Sequence, residues 1–477
     1  MMPLFDQLYW CSSPSCVTLL EGMESKIFTY KHEDGEIEKV EAVTGFHWNS
    51  LSFVSAPFTP AVVKEFARLY RAGIIPKNPE GFGTLVFFHM VEDGGFSPID
   101  GEGGEIYCLQ GRTARFLNSL ASDGKVWKTD GGIAFEDGAL GRWFTDLESK
   151  GYACILPGFR DTVSFVPLTG TMGFLSSLPE TAVNSQFFLM EWSDRDSPYD
   201  VHGLAYGLRI DNGTILSPPL FHREALAVFK DGAVKVICPR LTDLIVSIGD
   251  DSFIDRDSSR FRFRPEERVT PESSGTDLVI INRRLVAVND GGRTLIPMGG
   301  FVISLPYHYR TDKREVSYTG LDDILFAVQA GPVLIKDGVM ATELRSPFYK
   351  GEGTPFPPTV YPLSFDRGRA ARIGLGAKKD GSPVLLWAEG AGKTGHIKGE
   401  ESGGASLKEF AMICKDLGIW NLVNLDGGGS AQISHGGKRK LKIADRYPGT
   451  KTESERPVPS GIIIRESASL SSTDQGN

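Results

Sequence analysis

NLVNLDGGGSAQI, residues 421–433, is an apolar, strand-like run that stops at Asp426 and continues into Gly427, Gly428, Gly429 and Ser430. Three consecutive glycines lose much backbone entropy on ordering and supply no side-chain packing. Two arrangements offset that cost: a tight turn, or a nest of backbone N–H groups around an anion or a sugar. Just upstream, SLKEFAMICKDLG (406–418) spaces Ser406 and Glu409 as a capping box. Leu407, Phe410, Ala411, Cys414 and Leu417 share one helical face, and Gly418 suits the position after the last turn. The spacing predicts a helix running directly into the strand IWNLVNL, with Asp426 at the strand's end.

Working outward, four segments alternate apolar residues around an Asn-Gly or Asp-Gly pair: 207–216, 226–237, 332–344 and 373–390. Such pairs tolerate positive φ, so each segment reads as an antiparallel hairpin. PAVVKEFARLYRAG (60–73) predicts a further helix. The fold class expected is α+β, with mixed, largely antiparallel sheets and a few packed helices. A chain of 477 residues suggests two domains. Residues 1–150 show neither hairpin series nor motif and are set apart as an N-terminal region of unknown role. Residues 151–466 form the main domain, and the polar tail 467–477 reads as disordered.

The net charge of −9 disfavours nucleic acid, whose phosphates require a basic face, but leaves a small anionic substrate open. The six cysteines have no CxxC spacing, so zinc and thioredoxin chemistry have little support. The N-terminus MMPLFDQLYWCSSPSC lacks a basic segment followed by an apolar one, and no apolar run is long enough for a membrane span. As given, the chain reads as soluble and cytoplasmic; a secreted chain already trimmed of its leader reads the same.

WAEGAGKTG (387–395) invites a phosphate-loop reading, but Trp387 stands where the first glycine is required. The next helix also starts too late for its N-terminus to meet a phosphate, so this is a basic hairpin loop. Asp-Gly-Gly recurs at 93–95, 130–132 and 290–292, where a turn suffices; only 426–430 adds a third glycine, a serine and a buried-type strand. The histidines are dispersed and no GxSxG elbow is present, which leaves carboxylate chemistry by elimination.

The stretch 402–433 resembles the signature of the phosphodiester glycosidase family. Other pieces fall in that family's order: AVNSQFF (182–188), YGLRIDNGTILSPPLFHREALAVFKDG (206–232), IPMGGFVIS (296–304), AVQAGPVLIKDG (327–338) and ERPVPSGIIIR (455–465). The resemblance covers roughly 155–466. Ser185 and Gln186 replace two glycines usual in the family, Arg369 or Arg372 stands out of the usual register, Glu389 replaces an aspartate and Ser460 an asparagine.

The resemblance implies hydrolysis of a glycosidic bond whose leaving group is a phosphate ester, with a sugar-phosphate or glycan as substrate. Such a leaving group needs little acid assistance, so the demand falls on the oxocarbenium-like sugar and on the phosphate. On that reading Asp426 is nucleophile, base or electrostatic partner of the sugar, and Glu389 the second carboxylate. Gly427, Gly428, Gly429 and Ser430 donate hydrogen bonds to the ligand, Asn184 meets a sugar hydroxyl, and Arg223 with Arg369 or Arg372 clamps the anion. Arg456 is either a further substrate contact or a brace for the last strand. No cofactor is implied; a divalent cation on Asp426 is chemically possible, without a ligand cluster to support it. The alternatives are a carbohydrate- or anion-binding protein without turnover, and a phosphodiesterase that cuts P–O.

Overall fold

The computed structural model describes residues 8–10, 15–20, 23–32, 37–55, 97–99, 106–108, 126–129, 132–135, 153–155, 162–163, 175–189, 197, 199–200, 204–220, 223–256, 259–264, 267–341, 368–390, 401–440, 442, 444, 453, 455–456 and 458–465. Among these the protein is largely β, with a single α-helix, Leu407–Asp416. The expectation of a few packed helices therefore needs correcting; the span 60–73 lies outside the described residues. Strand pairing is antiparallel apart from Ile106–Cys108 beside Ala153–Ile155.

All four Asn-Gly and Asp-Gly segments are hairpins. Asn212 and Asp337 adopt φ of 47° and 49°, each followed by a positive-φ glycine, the geometry that lets a two-residue turn follow the strand twist. The helix starts as its capping box requires: the Ser406 hydroxyl accepts from the Glu409 N–H, and the Glu409 carboxylate accepts from the Ser406 N–H. Gly418, with φ of 79°, ends the helix and releases the chain into the strand Ile419–Asn424.

That strand lies within a long sheet, between Arg372–Lys378 and Val333–Lys336. One face of the sheet carries the helix through Leu386, Ala388, Phe410, Ile413 and Leu422. The other face presents Leu375, Leu385, Trp387, Val423 and Leu425 to a second layer that contributes Val183, Leu226, Val328 and Ile462. Full burial stabilises each such aliphatic side chain by about 1.5–3 kcal/mol, so Ile419, Leu422, Val423 and Leu425 before Asp426 fix the strand between two packed layers. A further core behind the second layer unites Ile210, Ala227, Phe261, Leu278, Phe301 and Val316.

The boundary drawn near residue 150 does not separate the described part of the N-terminal region. Met23–His32 and Ile37–Thr44 form a hairpin, and the latter strand pairs with Pro383–Ala388. Leu51–Ser55 pairs with the closing strand Ser460–Ile464. Residues 23–55 thus complete both layers of the sandwich that holds Asp426. The same turn cue that marks the other hairpins is present here, since HEDGE (32–36) carries Asp34-Gly35 between the two runs; the pairing of this hairpin with strands more than 300 residues away is what no local cue contains.

Candidate functional site

Asp426 leaves the end of the Ile419–Asn424 strand and is held at its backbone from two sides. Its N–H donates to the Ser185 carbonyl at 3.0 Å, and its own carbonyl accepts from the Asn184 side-chain amide. The Asn184 side-chain oxygen accepts from the Gln432 N–H at 2.9 Å, so one fully buried asparagine ties together both flanks of the glycine turn. Asn424 performs the matching task below, donating to the carbonyls of Gly331 and Leu425.

The glycines serve the protein's own backbone. A Cβ on Gly427 would stand 2.9 Å from the Ala371 carbonyl oxygen and 3.7 Å from the Arg372 guanidinium, so the close approach is to a neighbouring strand. Gly428 has φ of 60° and its N–H donates to that same Ala371 carbonyl at 2.8 Å. The Gly427 N–H and the Ser430 hydroxyl bond the Asp426 carboxylate, and the Ser430 N–H donates to the Gly427 carbonyl. Of the expected nest, only the Gly429 N–H has no protein acceptor among the described residues. The turn stabilises its own aspartate.

Burial pushes the Asp426 carboxyl up to about 7, against the Ser430 hydroxyl, the nearby Arg456 charge and the Gly427 N–H. A half-buried carboxyl that changes charge near neutrality, beside an arginine, has the property acid–base chemistry requires. Arg456 is brought into place by the Gln432 side chain, which donates to the Arg456 carbonyl at 2.6 Å. Around this point lie buried polar atoms with no hydrogen-bond partner: Ser185 Oγ, Gln186 Oε1, Asn424 Oδ1, Gln432 Oε1 and Ser460 Oγ. Orphaned buried groups are rare because each costs about 1–3 kcal/mol. Five of the nine such atoms among the described residues gather at this end of the sandwich.

Arg223 comes close through a different route. Its guanidinium stacks over Phe187 at 5.7 Å and lies against Gly331, where a Cβ would meet Nη2 at 2.9 Å. Gly331 in turn exchanges hydrogen bonds with Asn424. Burial lowers the Arg223 pKa to about 10, which leaves it charged at neutrality. Gln329, fully buried, accepts from the Leu208 and Leu220 N–H groups and donates to the Arg223 carbonyl, which makes it the hub of this wall. Sequence reading missed it because a glutamine beside a Gly-Pro pair carries no motif.

Three expected residues are directed elsewhere. Arg369 pairs with the capping-box Glu409 at 3.3 Å, bracing the helix instead of clamping an anion. Arg372 donates to the carbonyls of Ala405 and Gly368, although its guanidinium borders Gly427. Glu389 lies 4.0 Å from the Lys39 ammonium and accepts from the Lys442 N–H; its charge acts on Glu41, not on Asp426. Burial and then Glu389 raise the Glu41 carboxyl to about 7, with Lys440 opposing. The glycine-lysine-threonine loop after Gly390 lies outside the described residues. Among the described residues no cluster of three or more His, Cys, Asp or Glu side chains forms a metal site, and no helix is long and apolar enough to cross a membrane.

A family model described as phosphodiester glycosidase matches residues 244–465, the segment holding Asp426, Ser430 and Arg456. No curated protein matches the chain. Among solved structures, a hypothetical protein from Synechocystis is 16% identical with a TM-score of 0.41, over 95% of this chain and 64% of its own length. The catalytic domain of zebrafish N-acetylglucosamine-1-phosphodiester alpha-N-acetylglucosaminidase, auto-inhibited by its pro-peptide, is 12% identical with a TM-score of 0.37, over 97% of this chain and 89% of that one. An exported protein of Burkholderia pseudomallei is 16% identical with a TM-score of 0.39, over 96% and 99%. Residues 244–465, a little under half of the chain, thus match the model of the family whose motifs the sequence carries in order.

Proposed function

We propose that the protein is a hydrolase of the glycosidase type that cleaves a sugar-1-phosphodiester or a related glycoconjugate, with Asp426 as its reacting carboxylate. The observation that carries this reading is a carboxyl poised near neutrality, next to Arg456 and above a floor of unsatisfied polar atoms. The family match supplies the reaction class. Asp426 works in its ionised form, as nucleophile at the anomeric carbon or as base toward water. In the basic route, water adds to the anomeric carbon as its proton passes to Asp426. The bond to the phosphate oxygen breaks and its electron pair leaves with the phosphate monoester. Arg456 and Arg223 offset the charge on that leaving group.

Hydrolysis of a sugar-1-phosphodiester in ¹⁸O-water tests the reading. Label in the released sugar, abolished by Asp426→Asn, supports it; label in the phosphate assigns P–O cleavage instead. A binding protein without turnover is the second reading, and Gln186 favours it. Its amide donates to the carbonyls of Leu208 and Gln329 at 3.1 and 3.0 Å and fills space that glycines would leave open. Saturable sugar binding by a wild type with no turnover on any sugar phosphodiester decides for that reading.

A further inference from the structure

At the opposite pole of the second layer a cleft of about 490 Å³ opens between the 48–52 segment, the 209–216 hairpin and the strand Ile324–Val328. Its volume falls in the range of small-ligand sites. Its position follows from register. The closing strand pairs Gly461 with Asn184, next to Asp426, and Ile464 with Leu51, in the cleft wall. At ~3.3 Å per residue, the cleft lies roughly 10–15 Å along this strand from the Asn184 end.

Trp48, Asn49, Asp211, Asn212, Thr214 and Arg465 define the lining. The Trp48 indole is fixed by its N–H, which donates to the Gly381 carbonyl at 2.8 Å, and by a tilted contact with the buried Phe326 ring. One Asp211 oxygen accepts from the Ser52 hydroxyl and the Phe53 N–H at 2.6 and 3.0 Å, locking the hairpin to the 51–55 strand. The positive-φ turn at Asn212 and Gly213 then holds Asn212 and Thr214 exposed at the rim. The lining thus places amides, a hydroxyl, a carboxylate and a guanidinium around one indole, with the indole and the carboxylate held by hydrogen bonds. Mixed donors and acceptors beside an aromatic face suit a pyranose, whose hydroxyls bond at the edge while its C–H face meets the ring. With one carboxylate, Asp211, and one guanidinium, Arg465, the lining carries no net formal charge, which suits a neutral sugar better than a phosphate or nucleotide.

We propose that this cleft is a second carbohydrate-binding site, separate from Asp426, that takes a neutral sugar unit of a glycan; its sugar class rests on the glycosidase reading of the first site. Calorimetric titration of the full chain with neutral chito- and malto-oligosaccharides tests it. Saturable binding is expected in the wild type and in Asp426→Asn, weakened about tenfold or more in the Asn49→Ala/Thr214→Ala double variant, the equivalent of one or two lost hydrogen bonds. Both positions are exposed, so an unchanged melting temperature is expected alongside. In Asp426→Asn, sugar-dependent tryptophan quenching disappears on adding Trp48→Phe. Binding untouched by the double variant, or absent from the wild type, overturns the proposal. Hydrolysis without cleft binding removes this site and leaves the reaction; cleft binding without hydrolysis removes the reaction and leaves this site.

Discussion

Asp426 and Glu41 are carboxyls on two parts of one molecule, both raised to about 7 and both chiefly by burial. Their surroundings differ. Asp426 is opposed by Ser430, Arg456 and the Gly427 N–H, and stands among unsatisfied Ser185, Asn424, Gln432 and Ser460 atoms. Glu41 is raised further by Glu389, accepts a hydrogen bond from the Ser25 hydroxyl, and faces Lys440. No orphaned polar atom of the described residues belongs to that second group. A displaced pKa alone does not mark a reactive group; the hydrogen-bonding capacity left around it does.

The largest expected effect separates the two directly. Asp426→Asn keeps the shape of the side chain but not its charge, and should lower kcat/KM on a sugar-1-phosphodiester by about 10³-fold, within the range for a lost acid–base group. Wild-type kcat/KM should rise with pH to a midpoint near 7, since the ionised Asp426 is the active form. An activity that falls through 7 assigns Asp426 the role of acid; an unchanged rate in the variant removes it from the chemistry.

Arg456→Ala should follow, with a loss of ~10²-fold for the removal of one charged contact to the leaving group. Because Arg456 lowers the Asp426 pKa, its removal should also move the pH midpoint upward. A pH–rate profile of the variant checks this, and a rate loss without the shift reduces Arg456 to a strand brace. Gly428→Ala should cost roughly 1–2 kcal/mol in denaturant unfolding, since a Cβ is strained at φ of 60° although open space surrounds it.

The smallest effect lies at the other carboxyl. Glu389→Gln should leave turnover within about threefold, well below the loss of a catalytic carboxylate. It should also lower the Glu41 pKa, by removal of the like charge that helps to raise it. For both raised acids the folded pKa exceeds the unfolded one, so their stabilising contribution is full below about pH 4 and is lost as pH rises through about 7. Glu41→Gln should flatten that slope in chemical denaturation across pH 4–8 while the pH–rate profile stays that of Asp426. A rate loss in either glutamate variant comparable to that of Asp426→Asn merges the two groups into one site.

Local chemistry was legible wherever it depends on neighbours in sequence. Ser406 and Glu409 announce the helix start, and Asn212-Gly213 and Asp337-Gly338 announce turns, because caps and positive-φ turns are made by residues a few positions apart. The Asp426 turn was legible as unusual for the same reason. Its partners were legible only in part. Asn184 and Arg456 came from family order, whereas Gln329 and Gln432 carry no signal in one dimension; each acts through a carbonyl or N–H far away in the chain.

By itself the sequence determined the hairpins, the helix feeding the Asp426 strand and the likeness of residues 244–465 to the phosphodiester glycosidases. It did so because hydrophobic period and turn chemistry are local properties. Only the tertiary structure decided what the three glycines are for: Gly427 makes room for the Ala371 carbonyl and Gly428 turns its N–H toward it. It also decided that Glu389 faces Glu41 rather than Asp426, and that residues 23–55 complete the sandwich. These outcomes rest on which strands pair and in what register. Register is set by the packing of whole faces, and no short stretch of the chain contains it.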